Sequence, residues 1–228
     1  MIVIKNKTLR QVLSIITPFI LIPCIIAVGV FVLDEKYYAL VTTAVAVLAL
    51  VYFITGFERK QTGTRRLIII AVMVALSVAG RFIPFFKPIT ALTVITAVYL
   101  GGEAGFLTGS LAALISNFYF GQGPWTPFQM FAWGIIGLVA GLLSTPLKKS
   151  RLLTVLYGVI SGVAFSLIMD IWAVLGHSGT LNTQLYLASV ISALPHTVLY
   201  AVSNAVFLWI CAKPFGEKLQ RVKLKYGV

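Results

Sequence analysis

The sequence has 228 residues, of which 59% are hydrophobic and 11% are charged. Soluble domains carry about 25% charged residues, and the mean hydropathy of +0.99 indicates a chain that lies in a bilayer. Composition therefore excludes a soluble enzyme, a disordered tail and a nucleic-acid module, and predicts an all-α polytopic membrane protein. The formal net charge of +12 has to be interpreted from its placement along the chain.

Eight apolar segments follow one another, and each is predicted to be a helix. They cover approximately residues 11–33, 37–56, 66–84, 86–101, 103–120, 127–145, 152–175 and 184–212. The fourth segment is short, because a helix from Pro88 to Leu100 rises only about 20 Å against a hydrocarbon core of roughly 30 Å. We expect this helix to be tilted, or broken near Pro84 and Pro88.

The basic residues are distributed unevenly over the loops of an eight-span topology. Only Lys36, Arg81 and Lys87 lie on one side, whereas fifteen of the eighteen lie on the other. These fifteen are Lys5, Lys7, Arg10, Arg59, Lys60, Arg65, Arg66, Lys148, Lys149, Arg151, Lys213, Lys218, Arg221, Lys223 and Lys225. The positive-inside rule then predicts a multi-pass plasma-membrane protein with both termini in the cytoplasm. An additional role of the last fifteen residues in binding anionic lipid or an acidic partner surface is an open alternative.

Energy-coupling chemistry is missing from the sequence. The chain has no Walker A phosphate loop and no HExxH, CxxC or GxSxG motif, so we expect no catalytic residues, no metal site and no intrinsic cofactor. The acidic residues all map near a membrane interface, whereas ion-coupled carriers usually place carboxylates at mid-bilayer. They are Asp34, Glu35, Glu58, Glu103, Asp170 and Glu217. Uphill transport would therefore draw its energy from a partner that uses ATP.

The candidate ligand site lies at the outer ends of the predicted helices. The run Gly-Gln-Gly-Pro-Trp-Thr-Pro at residues 121–127 combines glycines, prolines, an indole and a carboxamide, and neighbouring helices add further aromatic and polar groups at the same depth. The candidate binding residues are Arg81, Asn117, Tyr119, Gln122, Trp125, Gln129, Trp133, Asp170, Trp172, His177 and His196, with Phe85 and Phe86 as residues that close the site. An interfacial aromatic belt is the alternative for Trp133 and Trp172.

Two finer hypotheses concern charged and polar residues in this region. Arg81 and Asp170 have similar predicted depths, so an ion pair could brace the site. In the last helix His196, Tyr200 and Asn204 recur every four residues, which is typical of a face turned towards the bundle. That face would serve either interhelical hydrogen bonding or a ligand path.

Small residues recur at helical spacing on several segments. Ala71, Ala75 and Ala79 share one face of the third helix and follow a basic pair, where they would suit docking of a membrane partner. Glycines at similar spacing in the fifth, sixth and seventh segments are expected to pack inside the bundle.

Together, the alanine stripe, the tryptophan-bearing outer loop and the missing ATPase resemble the substrate-binding S component of energy-coupling factor (ECF) transporters, over roughly residues 64–212. The resemblance implies a six-helix core at 64–228, which captures a small-molecule vitamin from outside. It also implies that the core topples on a membrane coupling subunit served by two cytosolic ATPases. Ala71 and Ala75 would be the docking pair of that family, with Ala79 as an extension. The two helices within 1–63 have no counterpart in the family minimum.

The run at 121–127 most resembles S components for cobalamin and its precursor cobinamide, so this resemblance implies cobalamin as the transported ligand. Another vitamin or a modified purine is the alternative ligand. Two other functions stay open: a gradient-driven secondary carrier, and an intramembrane enzyme that uses His196 or His177 with Asp170 as acid and base.

Overall fold

The computed structural model describes residues 6–55, 63–84 and 87–226, and within these ranges the chain forms helices and no strand. The helices are α1 Lys7–Ile16, α2 Ile22–Phe31, α3 Tyr38–Thr55, α4 Gly63–Gly80, α5 Ile89–Leu100, α6 Gly102–Phe120, α7 Trp125–Leu142, α8 Ser144–Lys149, α9 Arg151–Ser178 and α10 Thr183–Tyr226. A π-helical turn at Thr17–Leu21 joins α1 and α2 into one continuous helix. All eight predicted segments are therefore helices, and the all-α polytopic class is confirmed.

Within the described ranges, five helices are long and apolar enough to cross a bilayer. They are Lys7–Phe31, Tyr38–Thr55, Trp125–Leu142, Arg151–Ser178 and Thr183–Lys225. The last helix is longer than its predicted apolar segment, because the charged sequence after Lys213 stays helical to Tyr226. Its 44 residues span about 66 Å, roughly twice the hydrocarbon core.

The short helix α5 is the centre of the bundle. It contacts α4, α6, α7, α8, α9 and α10, and eleven of its twelve residues are buried. The predicted break is confirmed, since α5 begins directly after Pro88 and ends at Gly101, whose φ of 103° a glycine adopts without strain. Because other helices surround α5, it does not need the length of a lipid-facing span.

Helices α6 and α7 approach each other through glycines. A Cβ atom on Gly137 would lie 2.4 Å from the Gly105 carbonyl carbon, and one on Gly141 would lie 2.2 Å from the Gly102 Cα atom. These contacts are with backbone, which cannot swing aside. The glycine faces predicted to pack inside the bundle therefore do so in this pair.

A Gly137→Ala variant should unfold at a lower temperature than the unmodified protein. The added methyl group forces α6 and α7 apart, and overpacking of this kind costs about 1–3 kcal/mol. Thermal unfolding of the detergent-solubilised protein, followed by circular dichroism, measures the effect. Gly176→Ala is the matched control, because Gly176 is exposed on α9 and its new methyl group would meet only the Trp172 ring, at 3.0 Å, and no backbone atom. Equal unfolding midpoints for the two variants would contradict the proposed glycine contact.

The N-terminal helices pack directly on the rest of the bundle. α3 contacts α6 and α7, and the Tyr52 ring meets the Phe106 ring edge-on with centroids 5.2 Å apart. Buried residues of α2 and α3 belong to the same hydrophobic cluster as those of α5, α6 and α7. The two extra helices thus extend the core of the bundle.

Arg66 joins three helices at the end of the bundle formed by the C-terminus of α5, by α8 and by the start of α9, called the basic end below. Its guanidinium donates to the Leu100 carbonyl of α5 and lies 3.8 Å from the Glu103 carboxylate of α6. It also stands over the Phe53 ring of α3, 5.3 Å from the ring centre. One side chain therefore fixes the start of α4 against its neighbours.

Candidate functional site

A polar network occupies the opposite end of the bundle, where α4 ends at Arg81 and α6 meets α7. Nη1 of Arg81 donates to Ser116 Oγ at 2.5 Å and to Asn117 Oδ1 at 2.6 Å. Asn117 Nδ2 in turn donates to Thr126 Oγ1 and to Gln129 Oε1, both at 2.9 Å. We call these five residues the polar network. Three predicted site residues, Arg81, Asn117 and Gln129, are thus brought together.

A stack of three aromatic rings adjoins the polar network. The rings of Trp133 on α7 and Phe165 on α9 lie 4.4 Å apart at 21°, and Phe165 and Tyr200 on α10 lie 5.2 Å apart at 17°. These three residues are called the ring stack. The Trp133 indole is fully buried and donates to Thr90 Oγ1 of α5 at 3.1 Å. Its burial rules out the interfacial aromatic belt for this residue.

Arg81 connects the polar network to the ring stack. Its guanidinium carbon lies 5.6 Å from the centre of the Trp133 ring and 4.9 Å from that of Phe120. Lys87 lies over the same Phe120 ring at 5.8 Å. Among the described residues no carboxylate lies within 4 Å of Arg81, and its buried Nε has no hydrogen-bond partner there. The immediate surroundings of Arg81 are therefore positively charged, and its Nε has unused donor capacity.

Lys87, just before α5, is held against α10 by its backbone. Ser203 Oγ accepts from the Lys87 amide at 2.9 Å and donates to the Lys87 carbonyl at 3.3 Å. Phe85 and Phe86, predicted to close the site, lie outside the described residues.

The polar groups of the outer loop between α6 and α7 form hydrogen bonds with each other and with α6. Gln122 Nε2 donates to the Leu114 carbonyl at 3.0 Å, and Gln122 Oε1 accepts from Thr126 Oγ1 at 3.0 Å. The Trp125 ring covers Gly123, where a Cβ atom would lie 2.3 Å from the ring. These residues border the polar network and hold its shape. The predicted role of Gln122 and Trp125 as ligand contacts stays a prediction.

The hypothesis of an Arg81–Asp170 ion pair is wrong for the described structure. The buried Asp170 accepts a hydrogen bond from Ser189 Oγ of α10 at 2.8 Å, while Arg81 turns to Ser116 and Asn117. The sequence predicts the depth of a residue along a helix but not the direction in which it faces. Asp170 faces α10 because α9 and α10 pack along their length.

The remaining predicted site residues lie away from the ring stack. Trp172 packs on Phe128, with ring centroids 5.6 Å apart, and lines a small crevice against α2 and α3. Tyr119 is 72% exposed, and its ring meets Phe82 at a tilt and Phe120 edge-on. His177 and His196 are both exposed, and Asn204 of the same α10 stripe is buried and donates to the Gly158 carbonyl. The alternative of interhelical hydrogen bonding thus holds for Asn204.

Several residues of the site were missed from the sequence. Ser116 precedes Asn117 and Thr126 follows Trp125 in the sequence. Their hydroxyls would have been found by including the polar sequence neighbours of each predicted residue. Phe165 gives no sequence signal, because it is one apolar residue among many in α9.

The three alanines proposed for docking are exposed on α4. They line an apolar groove between α4 and α6 of about 540 Å³, with Leu107, Leu111 and Ile115 on the α6 side and Leu50 of α3 at its edge. The groove is open on the outside of the bundle, because α4 packs mainly on α5 and α6.

The chain is thus a membrane protein with helices long and apolar enough to cross a bilayer and with polar and aromatic side chains brought together at one end. Residues 61–221 match the model of the family described as ECF-type riboflavin transporter, S component, so the chain belongs to that family. No curated protein and no solved structure gives a significant match. The resemblance to an ECF S component is thereby confirmed. The match does not support cobalamin in particular, since the family description refers to riboflavin.

Membership also bears on the class of activity. S components are subunits of vitamin transporters and not enzymes, and the missing ATPase motif in this chain fits that class. The family implies a membrane-embedded coupling partner, ATPases and a small-molecule vitamin as substrate.

Proposed function

We propose that this protein is the riboflavin-binding subunit of an ECF importer, and that the ligand binds where the ring stack meets the polar network. The single observation that carries this proposal is the position of Arg81, which contacts Asn117 on one side and the Trp133 ring on the other. A flavin needs hydrogen-bonding groups and an aromatic surface side by side.

The chemistry of the isoalloxazine ring matches these two surfaces. Its flat tricyclic system stacks favourably on aromatic side chains at 4.5–7 Å, about 0.5–1.5 kcal/mol per pair beyond burial. Its pyrimidine edge carries two carbonyl oxygens and an imide N–H. Arg81 supplies cationic donors for the carbonyl oxygens, and the Gln129 carboxamide keeps its Nε2 as a donor while its Oε1 accepts from Asn117. A buried guanidinium without a carboxylate strengthens such hydrogen bonds.

Cobalamin is the less favoured ligand, for a reason visible in the outer loop. A corrin was expected to contact Gln122 and Trp125 of the outer loop. The amide nitrogen and oxygen of Gln122 both form hydrogen bonds within the protein, and Trp125 covers Gly123. The remaining partners suit a narrow flat ring better than a wide macrocycle rimmed with amides.

Transport would follow the plan of the family. The chain would lie in the plasma membrane with its basic end in the cytoplasm and bind the vitamin from outside. It would then topple on a coupling subunit that contacts Ala71, Ala75 and Ala79, while two cytosolic ATPases supply the energy. The excess of basic residues at one end supports this orientation.

Purified protein in detergent should bind riboflavin at one site with a Kd of about 1 μM or tighter, because aromatic contact and charge-assisted hydrogen bonds would act on the same ring. Quenching of flavin fluorescence during titration measures this, since aromatic stacking quenches the ring. Excess cobalamin should leave the quenching unchanged. Displacement of riboflavin by cobalamin, or tight cobalamin binding without riboflavin binding, would overturn the ligand assignment and leave the family intact.

A further inference from the structure

A further cavity lies at the basic end and shares no lining residue with the ring stack or the alanine groove. Its volume is about 280 Å³, and it is bounded by the C-terminal half of α5, by α8, by the start of α9 and by α10. The residues that line it are Val94, Ile95, Val98, Tyr99, Leu147, Lys148, Lys149, Arg151, Thr154, Ala212 and Lys213. The cavity thus has an apolar floor and a cationic rim.

The rim concentrates positive charge without a matching anion. Four of the lining residues are lysine or arginine, and none of these four has a carboxylate within 4 Å among the described residues. Lys223 reaches the same place, where its Nζ donates to the Tyr99 carbonyl at 3.5 Å. Burial, and secondly the charge of Lys223, lower the pKa of Lys148. Like charges held together in this way are stabilised by a bound anion.

The positions of the charged groups at the rim also favour an anion. Lys148 lies 5.3 Å from the centre of the Tyr99 ring, so its ammonium group is held over the cavity. Helix α9 begins at Arg151, and the positive end of its dipole therefore points to the same edge. A phosphate group placed at the rim would meet ammonium groups from α8 and α10.

The floor and its surroundings indicate what carries the phosphate. The floor is apolar and is formed by Val94, Ile95 and Val98 of α5 and by Ala212 of α10. A free inorganic phosphate would gain no stabilisation from contact with such a surface. Beside the cavity, Leu152 is 70% exposed and Trp209 is 51% exposed, with Arg151 stacked on the Trp209 ring at 4.2 Å. A tryptophan in contact with a cation is typical of the level of lipid headgroups. The cavity therefore adjoins a surface with the composition of a lipid interface.

We propose that this cavity is a binding site for an anionic phospholipid, whose phosphate contacts Lys148 and Lys213 and whose acyl chain lies along the apolar floor. Basic pockets between membrane helices bind anionic headgroups in this manner. The site is independent of the vitamin site and goes beyond the proposed transport function, because its residues lie at the other end of α5.

Native mass spectrometry of the full-length protein in detergent tests the proposal. Phosphatidylglycerol and phosphatidylcholine with identical acyl chains are titrated separately, and the lipid-bound fraction is measured. We expect phosphatidylglycerol to bind at least about tenfold more tightly, and a Lys148→Gln/Lys213→Gln variant to lose this preference. Lys7→Gln/Lys218→Gln removes the same charge from two exposed positions that do not line the cavity and should keep it. Circular dichroism of each variant checks that the helices are intact.

Three results would overturn the proposal. Equal binding of the two lipids would show that the rim does not select an anion. An equal loss in both double variants would show that net charge, and not this cavity, attracts the lipid. Displacement of phosphatidylglycerol by equimolar inorganic phosphate would show that free phosphate is the ligand and that the apolar floor contributes nothing.

Discussion

Replacing Arg81 by Gln should lower riboflavin affinity by about 10- to 100-fold while the protein stays folded. Charge-assisted hydrogen bonds contribute about 1.5–3 kcal/mol each, and the variant loses both the charge and its place beside Trp133. Arg81→Lys should retain part of the affinity, since an ammonium group keeps the charge but loses the planar fork. The dissociation constant from flavin fluorescence quenching is the measurement.

Lys36→Gln is the matched control for this experiment. Lys36 lies at the same end of the bundle and carries the same charge, but its side chain is exposed and pairs with Asp34 at 2.9 Å. Its removal should leave riboflavin affinity unchanged. If Arg81→Gln and Lys36→Gln bind riboflavin equally well, the Arg81 site does not hold the vitamin.

Ala75→Leu should reduce riboflavin uptake to about a tenth or less while riboflavin binding by the isolated protein is retained. The larger side chain fills the apolar groove between α4 and α6, and overpacking of a close helix contact costs about 1–3 kcal/mol. Uptake of labelled riboflavin by cells that contain the whole transporter is compared with binding by the purified variant. Co-purification of the coupling subunit gives a second measurement.

The control for the groove variant is Ala27→Leu. Ala27 is an exposed alanine on α2, so it receives the same enlargement on a different lipid-facing surface. Full uptake by Ala27→Leu with lost uptake by Ala75→Leu would assign docking to the groove. Full uptake by both variants would remove the alanines from the docking surface. Lost binding of riboflavin by Ala75→Leu would instead indicate damage to the site.

Hydropathy was sufficient to predict the helices, because a bilayer requires long apolar segments and the prolines at 84 and 88 mark a break in the pattern. It was not sufficient to predict where α10 ends. The sequence after Lys213 is polar and charged, so its helix follows from continuation of the backbone hydrogen bonds and not from burial. The short α8 likewise lies outside any apolar segment.

The candidate site was predicted in part. Depth counting along the helices brought Arg81, Asn117 and Gln129 together correctly, because all three lie near the same end of adjacent helices. It failed for Asp170 and Trp172, which have the right depth but face α10 and the N-terminal helices. The facing direction depends on which helix packs against which, and this information is not contained in a single helical period.

The prediction of cobalamin as ligand is not confirmed, and the outer loop shows why composition alone could not decide it. A run of glycine, glutamine and tryptophan in a loop has the composition of a binding loop whether its polar groups face a ligand or each other. Only the hydrogen bonds of Gln122 distinguish these cases. The ring stack, which gives the better indication of a flat ligand, is assembled from three helices far apart in sequence.

The burial of α5 has a consequence for biogenesis. A segment of twelve residues is well below the roughly 20 that a translocon recognises as a span, and Thr90, Thr93 and Thr96 lower its hydrophobicity further. We therefore expect α5 to enter the bilayer only with its longer neighbours. The central element of the bundle would then reach its place only after helices that follow it in the sequence have been made.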